Sequence, residues 1–289
     1  MPNCMEQVYS EEYYDFLIPY GVEAEVPSTP GCVQRIAEDY DIFFYPREGL
    51  PPLSIGNYTY TAIPKCYALL DTTALDASGI TRLQNQPVLA LKGEGVLVGI
   101  IDTGVDYTNP LFRYSDGSSR ILRIWDQTVQ TGTLPEGFAY GSEYTQEMIN
   151  QALSSDSPLD TVPTIDTDGH GTFTASLAAG GGNPEQSFLG AAPEATLAVV
   201  KLKPAKQYLK DYYFIPDSTV CYQETDIALA LHYLDQLARR YNLPLVFCFS
   251  LGTNAGGHIG ALPCPTILNA YGYSSNRIPI IGTGNEADK

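Results

Sequence analysis

Two short segments carry residue types suited to moving a proton. Gly99-Ile100-Ile101-Asp102-Thr103-Gly104 is an apolar run that ends in a carboxylate. Asp168-Gly169-His170-Gly171-Thr172 sets a histidine between glycines, with the small residues of Ala175 to Ala179 just after it. A carboxylate can accept a hydrogen bond from one imidazole nitrogen, fixing the tautomer and stabilising the imidazolium. The other nitrogen then takes a proton from a nucleophile. Two further polar groups follow apolar runs: Ser250-Leu251-Gly252-Thr253 after Leu245 to Phe249, and Gly284-Asn285 after Ile278 to Ile281. A side-chain amide such as that of Asn285 can donate to a developing oxyanion, and losing such a donor costs roughly 3 to 4 kcal/mol of transition-state stabilisation.

These groups need elements that bring them together. Val96 to Ile101 is almost continuously apolar, as suits a parallel strand buried on both faces. Ile121 to Trp125, Leu197 to Leu202, Leu245 to Phe249 and Ile278 to Ile281 are further strand candidates. Helices are expected over Glu143 to Leu153, His170 to Ala179, Asp226 to Arg240 and Leu262 to Ala270. The third has an apolar stripe, acids at its start and Arg239-Arg240 at its end, as the helix dipole prefers. Strand and helix alternate, which predicts an α/β fold: a doubly wound parallel sheet with helices on both faces. Reactive groups in such a sheet collect at the carboxyl ends of strands, where Asp102, Ser250 and Asn285 fall. His170 opens a helix of small residues, which can pack closely and carry the imidazole toward Asp102.

Residues 1–62 read differently. Phe16-Leu17-Ile18 and Ile42 to Tyr45 are strand-like, Cys32 to Tyr40 is expected as a short helix, and Pro46 to Pro52 as a loop. This is a small α+β unit with few apolar residues to stabilise it alone. Residues 63–289 form the second expected unit, with a helical look around Leu69 to Ser78.

Composition narrows the function classes. The chain has 289 residues, 44% of them hydrophobic, and a net charge of −17, which argues against nucleic acid and anionic membrane surfaces as partners. No run approaches the ~18 apolar residues of a membrane span. The first residues lack the basic and apolar regions of a secretory signal, so a cytoplasmic location is expected. Six cysteines without a CxxC pair predict reduced thiols, and three unclustered histidines argue against zinc. A single Asp-Thr-Gly in an α/β pattern does not fit an aspartic protease. No glycine-rich phosphate fingerprint follows Ile101, so a nucleotide-binding sheet does not fit either.

The whole set resembles the subtilisin-like serine proteases, the subtilases. Ile101-Asp102-Thr103-Gly104-Val105 matches their Asp box, Gly169-His170-Gly171-Thr172 their His box, Ser250-Leu251-Gly252 their substrate-lining strand and Gly284-Asn285 their oxyanion box. Gly190-Ala191-Ala192-Pro193-Glu194-Ala195 looks like the turn after the His helix. The segments Ile63-Pro64-Lys65-Cys66-Tyr67, Asp71-Thr72-Thr73-Ala74-Leu75, Tyr107-Thr108-Asn109-Pro110 and Ile124-Trp125-Asp126-Gln127-Thr128 are similar to the clostridial Csp subtilases linked to spore germination.

The resemblance implies a serine endopeptidase with Asp102 and His170 as triad members and Asn285 as oxyanion donor. Ser250, Leu251 and Gly252 would pair with an extended polypeptide substrate through their backbone. It also implies an N-terminal prodomain as a partner and an association with spores. No cofactor is implied with certainty: the calcium loop of many subtilases would fall near Gly180 to Phe188, where its ligand pattern is not recognisable. No Gly-Thr-Ser nucleophile box follows Asn285, and Ser274 and Ser275 lack its flanking pattern. The chain is therefore expected to be the N-terminal portion of a longer protease, without its serine. The alternative is a catalytically inactive pseudoprotease or binding protein of the Csp type.

Overall fold

The computed structural model describes residues 4–22, 26, 29–36, 40–69, 80–84, 86, 88, 90–181, 188–253 and 262–282. The chain opens with helix α1 (Met5–Tyr9) and strands β1 (Tyr13–Pro19), β2 (Cys32–Arg35) and β3 (Tyr40–Pro46). The three strands form an antiparallel sheet in the order β1-β3-β2, with Phe16 opposite Phe43 and Cys32 opposite Phe44. The expected helix at Cys32 is thus corrected to a strand. Its burial alternates, with Cys32 and Gln34 inward and Val33 and Arg35 outward, so the free edge of β3 and a period of two decide its form. The expectation of reduced thiols is corrected as well: Cys4 and Cys32 form a disulfide with Cα atoms 5.6 Å apart. The packing of α1 on this sheet brings them together, and their separation of 28 residues carries no motif.

Next come β4 (Cys66–Leu69) and α2 (Ile80–Gln84); the helical look expected beyond Leu69 falls outside the described residues. The main body follows with β5 (Leu97–Asp102), β6 (Ile121–Asp126), β7 (Ser142–Thr145), α3 (Gln146–Leu153), α4 (Pro158–Thr161), α5 (His170–Ala179) and β8 (Thr196–Lys201). It continues with α6 (Gln207–Tyr212), β9 (Tyr222–Gln223), α7 (Glu224–Tyr241), β10 (Leu245–Phe249), β11 (Leu251–Gly252), α8 (Pro263–Tyr273) and β12 (Arg277–Ile281).

Six of these strands form one sheet in the order β12-β10-β5-β8-β6-β7. All neighbours are parallel except β6 and β7. The antiparallel edge explains why the helix expected from Glu143 begins only at Gln146. Residues 142–145 pair with β6, and the Thr145 hydroxyl then accepts from the Met148 amide as the helix cap.

Strand β5 lies at the centre, and all six of its residues are buried. Its side chains alternate between two cores. Leu97 and Ile101 join residues of α7, α8 and the N-terminal sheet, whereas Val98 and Ile100 join Ile149 and Ala152 of α3 and Ala175 and Ala179 of α5. Both faces are covered, which is the doubly wound arrangement. The N-terminal sheet does not stand alone: Leu17, Ile42 and Phe44 share a core with Leu229 and Tyr233. A buried polar junction lies beside them, where Lys206 Nζ meets Asp15 Oδ1 at 2.5 Å and the Gln223 amide donates to Asp15 Oδ2 at 2.6 Å.

A third sheet has the order β11-β4-β9. Its central strand, Cys66–Leu69, is not among the strands expected from the sequence. Cys66 lies opposite Gln223, Ala68 opposite Gly252 and Leu69 opposite Leu251. A four-residue strand is stable there because partners on both sides satisfy its backbone.

Candidate active site

Asp102 ends β5 with a fully buried side chain. A carboxylate so enclosed must be hydrogen-bonded, and three donors reach it. His170 Nδ1 lies 2.8 Å from Oδ1 and 3.0 Å from Oδ2. The Thr103 amide donates to Oδ1 at 2.7 Å, and the Ser250 hydroxyl to Oδ2 at 2.8 Å. The carboxylate accepts from all three, so Nδ1 carries a proton directed at Asp102. The imidazole side chain is 13% exposed, enough to face an incoming group.

The expected approach of the His helix to the sheet is visible at Gly171. A Cβ there would come 2.2 Å from the Gly104 carbonyl oxygen, so only glycine lets α5 lie against the Asp box. Gly169, the residue before the helix, has φ 90°, a left-handed turn that a glycine takes without strain.

A second carboxylate ties the two boxes together, one that reading the sequence missed. Asp166 Oδ1 accepts from the Thr103 hydroxyl at 2.8 Å and the Gly169 amide at 2.9 Å. Its Oδ2 accepts from the Thr172 amide at 2.8 Å and the Thr172 hydroxyl at 2.7 Å. Thr103 Oγ1 in turn accepts from the Gly171 amide at 2.8 Å, and Thr172 Oγ1 from the Asp106 amide at 2.8 Å. Burial pushes the Asp166 carboxyl up, but the bonds from Thr172, Gly169 and Thr103 outweigh it and hold it below the ordinary aspartate value. The available signal was an aspartate in the loop just before His170, with a threonine in each box to reach it.

Ser250 is buried, and its hydroxyl also lies 3.3 Å from that of Thr174. Its side chain therefore faces the Asp/His pair, while Leu251 and Gly252 present their backbone to β4. Because β4 runs antiparallel to β11, the chain from Cys66 to Leu69 advances toward Ser250 and the pair. Cys248 on β10 is no competing nucleophile: burial, and secondarily the Asp102 charge, pushes its thiol up to about 12. Asn285 lies outside the described residues, as does most of the Gly180 to Phe188 stretch. No cluster of metal-ligating side chains is found among the described residues. Nor is any of their helices long and apolar enough to cross a membrane.

An aspartate at the end of a central parallel strand, bonded to a histidine at the start of a small-residue helix, defines a subtilisin-like α/β architecture. Residues 93–289 match the subtilase family, peptidase S8, and the chain belongs to it. It is similar to the subtilisin-like protease SBT2.2 of Arabidopsis thaliana, at 34% identity over 126 residues, which is 38% of this chain and 15% of that protein. A PII-type proteinase of Lacticaseibacillus paracasei is 34% identical over 114 residues, covering 38% of this chain and 6% of the proteinase. Among solved structures, the CspB protease of Clostridium perfringens superposes with a TM-score of 0.60 at 30% identity, over 72% of this chain and 40% of that one. The chain thus spans a minor part of the length of each of these relatives.

Proposed function

We propose that this chain contributes the Asp/His half of a serine endopeptidase acting on polypeptides. The observation that carries this is the Asp102–His170 bond at 2.8 Å, made by a fully buried carboxylate that also holds Ser250. Asp102 fixes the Nδ1–H tautomer, and Nε2 removes the proton from a serine hydroxyl as it attacks the scissile carbonyl. The imidazolium that forms sits at a helix N-terminus, which disfavours it, and the Asp102 charge offsets this. Asn285 donates to the tetrahedral oxyanion, and the serine comes from sequence beyond the Asn box, as in the family.

The same reading gives β4 a role. Leu251 and Gly252 are the strand on which an extended substrate pairs, and the chain's own residues Ala68 and Leu69 pair there. The N-terminal segment, extending through β4 and so past the boundary expected near residue 62, acts as a bound prosegment in the place of substrate.

The test is labelling of the full-length protein by a fluorophosphonate. Covalent labelling that His170→Ala and Asp102→Ala both abolish is the expected result. Labelling that survives His170→Ala overturns the assignment, and a full-length protein that takes no label under any condition points to a pseudoprotease.

A further inference from the structure

Arg120, just before β6, places a cation where carbonyl oxygens converge. It is only 2% exposed. Its Nη1 donates to the Ala195 carbonyl at 2.9 Å, and its Nη2 to the carbonyls of Leu111 at 2.6 Å and Ala179 at 2.5 Å. A buried charge is ordinarily paired with an opposite one. Arg120 takes part in none of the ion pairs among the described residues. Burial pulls the guanidinium pKa down, but the group starts too high to lose its proton inside a protein. The cage therefore holds a full positive charge, offset by carbonyl dipoles.

The three carbonyls come from parts of the chain that frame the Asp102–His170 pair. Ala179 is the last residue of α5, the helix that His170 opens. Its carbonyl belongs to the negative end of the helix, lacks an intrahelical partner and favours a cation. Leu111 lies in the short turn Pro110–Phe112 that follows the Asp box. Ala195 directly precedes β8. The Gly181 amide donates to the same Leu111 carbonyl at 2.7 Å, and the Gly190 amide to the Gly180 carbonyl at 3.0 Å. The chain leaving α5 and the chain returning toward β8 are thus fastened together beside the guanidinium.

The calcium loop of many subtilases would fall on this stretch, near Gly180 to Phe188. The cage does not fit that ion. Calcium takes about six to eight oxygen ligands, carboxylates prominent among them. The oxygens that converge here are neutral carbonyls already bonded to a guanidinium, and a divalent ion beside it would meet like charge.

We infer that the Arg120 guanidinium is the resident cation of this cage, tying the end of the His helix to the Asp-box turn and to β8, and that no calcium ion is taken up there. This holds whether or not the site is a protease, since neither nucleophile nor substrate enters it. A guanidinium suits the task because its planar fork serves several acceptors in different directions at once.

The experiment is hydrogen exchange of the full-length protein at the Gly180, Gly181 and Gly190 amides, in excess calcium and in excess chelator. These amides close the chain around the cage, so they report on this place in particular. In the wild type, exchange at all three is expected to be the same in both solutions. Faster exchange when chelator replaces calcium overturns the inference, because a metal then shares the cage. Arg120→Met, of similar length without the charge, is expected to speed exchange at these amides by about tenfold or more in either solution. Arg120→Lys should keep part of the protection, since it restores the charge but reaches fewer carbonyls. Protection in Arg120→Met equal to that of the wild type overturns the role of the charge. The wild-type comparison decides the calcium question even if Arg120→Met fails to fold.

Discussion

At the scale of single residues, the site depends on two carboxylates with different tasks. Asp102 touches the imidazole, and Asp166 holds the loops that present both partners. Asp166→Asn keeps the shape but loses the charge behind four hydrogen bonds, so we expect it to lower stability by about 1 to 2 kcal/mol at neutral pH, as followed by urea unfolding. The pH dependence has a definite sign. The folded-state pKa of Asp166 is depressed, so its contribution is present above the unfolded value near ~4 and is lost as pH falls through the folded value. The difference between wild type and Asp166→Asn should therefore narrow below about pH 4; a constant difference down to pH 2 would count against a charged Asp166. The same variant should shift the Nδ1 proton resonance of His170, which is traceable because the chain has three histidines.

Among the elements, α5 and β4 matter most, and they differ in how much of them is written locally. Helix α5 is set by its glycines and small residues. Gly171→Ala would press a methyl into the Gly104 carbonyl, a backbone atom that cannot swing aside. We expect a loss of at least about 2 kcal/mol and a lengthened Asp102–His170 contact, read by thermal melting and by the same imidazole resonance. A melting temperature within a degree of wild type would mean that the helix does not approach the Asp box so closely. Strand β4 has no such local signature. It is a strand because Tyr222–Gln223 and Leu251–Gly252 flank it, and neither is near it in sequence.

For the whole molecule, the N-terminal sheet and the main body are joined through apolar contacts and a buried ion pair. Asp15 and Lys206 are both almost fully buried, and Gln223, beside β4, completes the junction. Removing one partner leaves the other charge unpaired, so Lys206→Met should destabilise the chain by about 3 to 5 kcal/mol. The double variant Asp15→Leu with Lys206→Met should recover most of that loss in chemical denaturation, since apolar groups of similar volume need no solvation. Failure of the double variant to recover would show that the charges, beyond their packing, hold the two parts together.

The sequence by itself determined the features whose cause is local. The apolar runs at Leu97 to Ile101 and Leu245 to Phe249, the stripe and end charges of α7, and the glycine-boxed His170 all follow from the period and type of neighbouring residues. These were enough to place Asp102 at a strand end and His170 at a helix start, and to suggest that the two meet. Tertiary structure decided what depends on partners distant in the chain. It made Cys32–Arg35 a strand, joined Cys4 to Cys32, turned the Ser250 hydroxyl onto Asp102 and laid β4 along Leu251–Gly252. The physical reason is common to all four. A short polar or mixed segment has little conformational preference of its own, so its form is set by whichever buried donors and acceptors the folded chain brings beside it.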